Sequence, residues 1–159
     1  MKLFVMFVGG IIIGVVLGVV ITYKKMQSTV DSTTQLYEKF YRMQSMMERW
    51  LACIQKGRSL EQYLYDKGYE KIAVYGLGEV GLLLIEELKD TKIKILCGID
   101  KKPKTKLRMD IKKPGDTIVD ADAIIVTAIA YFYDIEKELS QYNKCPIISL
   151  EDIIYEVAY

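Results

Sequence analysis

Three hydrophobic patterns follow one another along the chain. Residues Leu3 to Ile21 carry no charge, and this run of 19 residues is long enough to cross a bilayer core of about 30 Å as a helix. From Ser32 to Gln55 there is no Gly or Pro, and apolar side chains recur at spacings of three and four, which is typical of an amphipathic helix. After Gly57, short apolar runs alternate with amphipathic stretches, which predicts strands alternating with helices.

The alternating region can be divided into elements from its turn residues. Gly57 and Gly68 are expected to end helices, Ser59 to cap the helix that follows it, and Ser149 with Asp152 to form a capping-box-like helix start. The predicted strands are 71–75, 93–99, a short 117–119, 123–127 and 146–149. The predicted helices are 60–67, 80–89, 134–142 and 150–157, and Lys101 to Lys113 is predicted to be a loop.

The stretch before this region carries an apolar stripe with two interpretations. Its members are Tyr37, Phe40, Tyr41, Met47, Trp50, Leu51 and Ile54. Such a stripe indicates either a juxtamembrane coiled coil or a helix that packs on the following domain. Because Gln44 interrupts the stripe and three heptads are few for a coiled coil, we expect a helix docked on the domain, with the stripe as its packing face.

The N-terminal apolar run is predicted to be an uncleaved, single-pass membrane anchor, because no small-residue cleavage site follows it. Lys24, Lys25, Lys39 and Arg42 follow the run, and only Lys2 and the terminal amine precede it. Because basic residues accumulate on the cytoplasmic side, we expect a cell-membrane protein whose C-terminal domain is cytoplasmic.

The anchor also contains a repeat of small residues. Gly10, Gly14 and Gly18 recur every four positions, which would let two membrane helices approach closely and form a homodimer. The alternative is a glycine-rich span with no partner, since glycine is common in such helices.

A glycine motif lies at the first predicted strand-to-helix turn. It reads Gly76-Leu77-Gly78-Glu79-Val80-Gly81 and matches G-x-G-x-x-G in the context that the motif requires. In dinucleotide-binding turns the first glycine allows the tight turn, the second lets backbone approach a pyrophosphate, and the third lets helix and strand pack closely. The helix N-terminus then offers free N–H groups and a positive dipole end to the phosphates. Glu79 counts against this interpretation, because it places a negative charge near the phosphate position.

Three further positions complete the candidate site. Asp100 ends the second predicted strand, 24 positions after Gly76, close to the offset of about 20 expected for a ribose-binding acid. Lys101 and Lys102 begin a basic loop with three alternative interpretations: it binds an additional phosphate, it contacts anionic lipid head groups, or it is a solvated loop. Thr127 ends the next apolar strand, as either a ligand-facing hydroxyl or a turn residue. The basic loop comprises Lys101, Lys102, Lys104, Lys106, Arg108, Lys112 and Lys113.

Together these features predict an α/β fold: a small Rossmann-like, mostly parallel sheet with flanking helices, preceded by one transmembrane helix and a juxtamembrane helix. The predicted segments are the anchor over 1–27, the juxtamembrane helix over 28–57 and the nucleotide-binding domain over 58–159. The expected ligand is NAD or NADP, or a nucleotide sugar. The predicted cofactor-binding residues are Gly76, Leu77, Gly78, Glu79, Val80, Gly81, Asp100, Lys101, Lys102 and Thr127.

Composition narrows the chemistry. The chain has no histidine, the commonest general base and metal ligand, and a net charge of +1 that does not favour a nucleic-acid partner. The three cysteines are far apart in sequence, which predicts buried free thiols rather than disulfides or a metal site. Tyr133 and Lys137 match the Y-x-x-x-K acid–base pair of short-chain dehydrogenases, but the pair comes too early in the chain. We therefore predict no catalytic residue and no metal site.

Two resemblances extend this interpretation. Residues 67–78, with Gly98-Ile99-Asp100 and 149–154, resemble the Rossmann modules of bacterial surface-polysaccharide proteins, including membrane-bound nucleotide-sugar dehydratases and epimerases. This resemblance implies binding of NAD(P) or a nucleotide sugar, without the catalytic half. The glycine motif with Ile99-Asp100-Lys101 is also similar to the regulatory nucleotide-binding domains of potassium channels and transporters, which implies a membrane partner.

We therefore expect an accessory or regulatory nucleotide-binding module at the membrane, with a membrane enzyme or transporter as a partner. The alternatives are a nucleotide-sugar oxidoreductase or epimerase, a regulatory subunit of a channel or transporter, and a scaffold that binds no small molecule.

Overall fold

The computed structural model describes the backbone of residues 2–102 and 108–159, and side chains within these ranges except those of residues 2–13, 15 and 16. The chain forms two compact units, Met1–Tyr41 and Arg42–Tyr159. The helices are α1 (Lys2–Gln55), α2 (Leu60–Asp66), α3 (Glu79–Leu88), α4 (Phe132–Leu139) and α5 (Leu150–Ala158), with a 3₁₀ turn over Ile129–Tyr131. The strands are β1 (Lys71–Tyr75), β2 (Lys94–Ile99), β3 (Ile111–Lys112), β4 (Ala123–Val126) and β5 (Ile147–Ser149).

The five strands form one sheet in the order β3-β2-β1-β4-β5, and every neighbouring pair is parallel. The predicted α/β fold with a parallel sheet and flanking helices is therefore confirmed. This order equals the first five strands of the doubly wound 3-2-1-4-5-6 arrangement. The chain moves outward in one direction from β1 to β3 and then crosses back to β4. The carboxyl ends of β1 and β4 thus border the point where the strand order reverses, which is where such folds bind ligands.

Alternating side chains of the strands build one core on each face of the sheet. Ile72, Val74 and Ile125 face a core that also holds Leu84 and Leu88 of α3. The residues between them in sequence face the second core, which is covered by α4. The second core contains Ala73, Tyr75, Cys97, Ile99, Ile118, Ile124, Val126, Ile135 and Leu139. Burial on both faces explains why these strands read as continuous apolar runs.

A bulge in β2 determines which face of the sheet the side chains of its last residues occupy. Ile72 pairs with Ile95, but the next residue, Ala73, pairs with Cys97, so Leu96 is an extra residue in the ladder. A bulge of this kind reverses the side-chain alternation of its strand. As a result Gly98 lies opposite Val74, on the face where the chain leaves β1 toward α3.

The part of α1 in the second unit packs on the sheet domain through Met46, Trp50 and Cys53, which are buried. Trp50 Nε1 donates a hydrogen bond of 2.5 Å to Glu87 of α3, and Arg42 pairs with Glu151 of α5. The expected docking is therefore present, but the predicted packing face was wrong. Of its seven residues only Trp50 is buried and Met47 half-buried. The others are exposed: Tyr37, Phe40, Tyr41, Leu51 and Ile54.

The third strand does not lie where the sequence predicted it. Residues 117–119 form no strand, and the strand at that sheet edge is Ile111–Lys112, inside the predicted basic loop. The reason lies in a side chain distant in sequence. The N–H of Ile118 donates to Asn143 Oδ1 at 2.7 Å instead of to a neighbouring strand. Asn143 is buried and in turn donates to the carbonyl of Leu139, so it fastens this loop to the end of α4.

The helix ends follow the sequence signals, with one exception. Gly57 and Gly68 have positive φ angles of 66° and 78°, and Ser59 accepts a hydrogen bond from the N–H of Gln62. Ser149 is the N-cap of α5, as expected, but its side chain makes no capping bond. Its hydroxyl is instead buried at the end of β5 without a hydrogen-bond partner among the described atoms, because β5 runs directly into the helix. The predicted capping box was therefore wrong.

The predicted anchor falls largely on residues 1–13, 15 and 16, whose side chains lie outside the described part of the chain. No helix in the described part of the chain combines the length and the hydropathy that a membrane span needs. The anchor therefore stays a prediction. Gly10 also lies outside the described side chains, whereas Gly14 and Gly18 would place an added Cβ in open space.

Candidate functional site

The turn from β1 into α3, which we call the glycine turn (Gly76–Gly81), depends on close approach of the backbone. Gly76 has φ +91°, a conformation that side chains disfavour, and a Cβ on it would lie 2.7 Å from Thr127 Oγ1. The N–H of Gly76 donates to the carbonyl of Ile99 at 2.9 Å, and its own carbonyl accepts from Thr127 Oγ1 at 2.8 Å. Gly76 is thus held between the ends of β2 and β4.

The other two motif glycines have opposite surroundings. Gly81 is buried in the first turn of α3, and a Cβ there would lie 1.9 Å from the carbonyl oxygen of Gly76. No heavy atom lies within 4 Å of a Cβ built on Gly78. Gly81 is therefore required by packing, whereas Gly78 faces open space. This difference matches the roles that the sequence assigned to the second and third glycines.

Leu77 and Asp100 fix the glycine turn to the end of β2. The side chain of Leu77 is buried against Gly98, where an added Cβ would lie 2.8 Å from both Leu77 Cδ atoms. The N–H of Leu77 donates to Asp100 Oδ2 at 2.8 Å, and the N–H of Lys102 donates to Asp100 Oδ1 at 2.7 Å. Each carboxylate oxygen has more than one acceptor position, so a ribose hydroxyl could still donate to Asp100.

A cleft of about 600 Å³, which we call the first cleft, opens in front of the glycine turn. The first intrahelical bond of α3 runs from the N–H of Leu82 to the carbonyl of Gly78, so the N–H groups of Glu79, Val80 and Gly81 have no partner within the helix. These groups and the helix dipole favour an anion at this end of α3. The first cleft is lined by Met43, Gly76, Leu77, Gly78, Glu79, Val80, Gly81, Leu82, Thr127 and Ala128.

Glu79 and Thr127 limit the charge and the hydrogen-bonding groups of a ligand that the first cleft could bind. Glu79 is exposed in the first turn of α3, where its charge suits the dipole but opposes an anion close by. Thr127 is buried, and its only hydroxyl proton is directed at the carbonyls of Tyr75 and Gly76. Thr127 can therefore accept a hydrogen bond from a ligand but cannot donate one without loosening the turn.

A second cleft of about 420 Å³ lies beside the first and shares Gly76 and Ala128 with it. It is bounded by the end of β2, the 3₁₀ turn and α4. Lys101 Nζ pairs with Glu138 at 2.9 Å, and this bond raises the pKa of Lys101. Burial raises the pKa of the Tyr75 hydroxyl, which therefore stays protonated near neutral pH. The lining residues are Tyr75, Gly76, Asp100, Lys101, Ala128, Tyr131, Asp134, Ile135 and Glu138.

Of the predicted basic loop, Lys101 and Lys102 lie at the site and Lys104 and Lys106 lie outside the described residues. Lys101 is paired with Glu138, and Lys112 with Asp110 at 3.0 Å. Because the second cleft is lined by three carboxylates and one lysine, it is a poorer site for an additional phosphate than the sequence suggested.

The Tyr133–Lys137 pair, which the sequence analysis did not assign to catalysis, lies on α4 and does not line the second cleft. The residues of α4 that line that cleft are Asp134, Ile135 and Glu138, and the Tyr133 side chain is 79% exposed. The three cysteines are free; Cys53 and Cys97 are buried and Cys145 is half-buried. Burial raises the pKa of the Cys97 and Cys145 thiols, so both are protonated near neutral pH. Across residues 2–102 and 108–159, no acidic and cysteine side chains cluster in a way that could hold a metal ion.

Several lining residues were not among those predicted. Tyr75, Ala128 and Tyr131 follow or end strands at the point where the strand order reverses, so the topology would have indicated them once known. Asp134 and Glu138 lie four residues apart on one face of α4. The sequence shows this spacing, but it does not show that this face lines the second cleft. Met43 reaches the first cleft from α1, and no local sequence feature marks it.

Comparison of the chain with protein-family models, with curated proteins and with solved structures found no match.

Proposed function

We propose that this chain is a membrane-anchored, cytoplasmic Rossmann-like module that binds NAD(P) or a nucleotide sugar. It would act as an accessory or regulatory protein in cell-surface polysaccharide biosynthesis. The observation that carries the proposal is the contrast between the glycines. Gly76 and Gly81 are closed in by backbone and side chain, and Gly78 alone opens onto a cleft at a helix N-terminus.

This contrast favours a ligand over a turn kept only for packing. A turn that serves packing needs Gly76 and Gly81, but nothing in the surrounding structure requires a glycine at Gly78. A pyrophosphate would occupy the space that a side chain at Gly78 would fill, within reach of the free N–H groups of α3. The ribose next to it would then meet Asp100 at the end of β2.

The second cleft bears on which nucleotide would bind. Asp100, Asp134 and Glu138 bring three carboxylates to the region where a ribose and base would extend from the first cleft. Hydroxyl and amino groups can donate to carboxylates, whereas the 2′-phosphate of NADP would be repelled. We therefore favour NAD or a nucleotide sugar over NADP.

A scaffold without a small-molecule ligand is the second candidate, and one observation favours it. Asp100 and Thr127, which flank the glycine turn, already make hydrogen bonds to its backbone. These bonds would be sufficient reason for both residues if the turn had only a structural role.

Thermal unfolding with added nucleotides separates the two candidates. A ligand that binds only the folded state stabilises it, by roughly 2.7 kcal/mol when present at 100 times its dissociation constant. We expect NAD(H) or a UDP-sugar to raise the melting temperature more than NADP(H) does. Gly78→Val should abolish the shift while the protein remains folded, because its methyl groups would occupy the phosphate position.

Gly115→Val is the matched control, since Gly115 also faces open space but lies in the turn after β3. It should leave the shift intact. Absence of any shift with these nucleotides, together with a Gly78→Val protein that behaves like wild type, would favour the scaffold.

A further inference from the structure

The exposed face of α1 carries a second apolar stripe that the sheet domain does not use. In the first unit, the described residues from 17 to 38 are all exposed. The large apolar side chains between Tyr23 and Tyr41 are Tyr23, Met26, Val30, Leu36, Tyr37, Phe40 and Tyr41. In the second unit, Leu51 and Ile54 of the same helix are also exposed.

These residues follow a heptad repeat. If Tyr23 is assigned to position a, the a positions are Tyr23, Val30, Tyr37, Gln44 and Leu51, and the d positions are Met26, Thr33, Phe40, Met47 and Ile54. The heptad positions follow from residue spacing alone, and the same assignment holds from Tyr23 in the first unit to Ile54 in the second. Leu36 and Tyr41 lie at the flanking positions g and e. The residues at b, c and f from Lys24 to Arg42 are all polar: Lys24, Lys25, Ser28, Asp31, Ser32, Gln35, Glu38, Lys39 and Arg42.

The stripe meets the face that docks on the domain at Met47, which is half-buried against the core. The docked residues Met46 and Cys53 occupy position c, and Trp50 occupies position g. The a and d residues Leu51 and Ile54 lie beside them and stay exposed. They border an apolar groove of about 340 Å³ together with Met47, Trp50 and Leu83 of α3. The helix can therefore pack on its own domain and offer its heptad face to a partner at the same time.

We propose that the heptad face of α1, from Tyr23 to Ile54, pairs with the same face of a second copy of this chain as a parallel two-stranded coiled coil. A repeat of 3.5 residues sustained over more than four heptads is the pattern by which α-helices recognise one another. A helix lying on a membrane surface needs instead a broad apolar face flanked by basic residues, whereas the outer positions here carry both charge signs.

The area available is sufficient for a stable dimer. A large aromatic side chain offers about 150–250 Å², so burying half of each of the four aromatic residues alone removes on the order of 400 Å² per helix from water, and the five aliphatic side chains add to this area. Specific protein–protein interfaces begin at about 600 Å² from each partner, and a standard one takes about 800 Å². The groove beside Leu51 and Ile54 would be filled by the partner helix, which extends the interface into the second unit.

Gln44 explains how such a pair would keep its register. A polar residue at one a position lowers the stability of a coiled coil but specifies its alignment, because two such side chains hydrogen-bond only when they lie opposite each other. Gln44 is the only polar a residue between Tyr23 and Leu51. Gln44, whose polar side chain counted against a coiled coil in the sequence analysis, is therefore the residue expected to align the dimer.

The interface differs from the one expected from the membrane glycines. In the same register Gly14 and Gly18 occupy positions f and c, on the face opposite the a and d residues. Contacts through these glycines and through the heptad face would thus use different sides of α1. The two modes of association can be separated by mutation.

Sedimentation equilibrium of the full-length chain in a density-matched detergent tests the proposal. We expect twice the 18.3 kDa chain mass, falling to one chain in Tyr37→Glu/Phe40→Glu, which places charges at neighbouring a and d positions. Ser32→Glu/Gln35→Glu adds the same charges with the same spacing at positions c and f and should stay dimeric. Gly14→Leu/Gly18→Leu should also stay dimeric.

A covalent test does not depend on the charged variant remaining folded. In a parallel, in-register pair, residue 44 of one chain lies opposite residue 44 of the other, so Gln44→Cys should oxidise to a disulfide-linked dimer. Gln35→Cys, at position f, and the wild type, whose own cysteines are buried or half-buried, should not. A monomeric or trimeric wild type, dissociation by the glycine substitutions, or equal cross-linking at residues 35 and 44 would overturn the proposal.

Discussion

At the scale of single residues, the atoms that surround each glycine of the candidate site decide whether a side chain could replace it. Gly81 faces the carbonyl of Gly76, and Gly98 faces the side chain of Leu77. Gly78 has the same residue type and lies three positions before Gly81, yet it faces open space. The motif therefore combines two positions where the fold requires glycine with one position, Gly78, where it does not.

The consequence for stability can be measured with alanine. Gly81→Ala places a Cβ 1.9 Å from a backbone oxygen that cannot easily move, so we expect a loss at or above the upper end of the ~1–3 kcal/mol typical of overpacking. Gly78→Ala adds a methyl group in open space at a helix N-cap, where alanine is less favourable than glycine, and we expect a loss of no more than about 1 kcal/mol. Denaturant unfolding followed by circular dichroism measures both; equal losses would contradict the close approach at Gly81.

At the scale of elements, α1 is joined to α3 by one polar contact within an apolar interface. Trp50 Nε1 donates to Glu87 Oε2 at 2.5 Å. Burial raises the pKa of Glu87 above its usual value of 4.5, and the hydrogen bonds from Trp50 and from the Leu60 backbone oppose that rise without cancelling it. The interface therefore favours the protonated form of this carboxyl group more than water does.

This preference predicts a pH dependence of stability. Because the folded pKa of Glu87 lies above the unfolded one, its contribution is fully present below about pH 4.5 and is lost as pH rises through the raised pKa. Glu87→Gln keeps an acceptor for Trp50 and removes the titration. We expect its melting temperature, relative to wild type, to increase as pH rises from about 4.5 to 7.

Glu86→Gln provides the matched control, since Glu86 is the exposed neighbour of Glu87 on α3. A relative stability of Glu87→Gln that does not change with pH, or one that changes equally in Glu86→Gln, would contradict the assignment to Glu87.

At the scale of the whole molecule, the chain combines a compact sheet domain with a long N-terminal helix whose first part the sequence predicts to be a membrane anchor. The uncharged run from Leu3 to Ile21 and the basic residues after it carry this expectation. The proposed nucleotide site and the proposed dimer both lie outside that run. A result that contradicts the membrane anchor would therefore leave the proposed nucleotide site and the proposed dimer untouched.

Fractionation of cells tests the anchor. We expect the full-length chain in the membrane fraction, resistant to carbonate extraction and released by detergent, because about 20 apolar residues suffice to span a bilayer. A chain shortened to begin near Ser32 should appear in the soluble fraction. Recovery of the full-length chain, or of a cleaved product, as a soluble protein would contradict the anchor.

Most elements of the second unit could be predicted from the sequence. Parallel strands buried on both faces produce uniform apolar runs, and the turn residues between them are local signals, so strands β1, β2, β4 and β5 and their helices were predicted within a few residues. The glycine turn was also predicted, because Gly76 and Gly81 meet requirements of backbone geometry within a stretch of six residues. The free state of the three cysteines followed from their spacing.

The remaining features could not be predicted from the sequence, because they depend on contacts between residues distant in sequence. Ile118 is drawn out of a strand by Asn143, and the hydroxyl of Ser149 is buried where β5 runs directly into α5. Likewise, a helix with apolar residues on two faces does not reveal from its own sequence which face meets its domain. The complementary surface of α3 and α5 buries Met46 and Trp50, and it leaves Leu51 and Ile54 exposed.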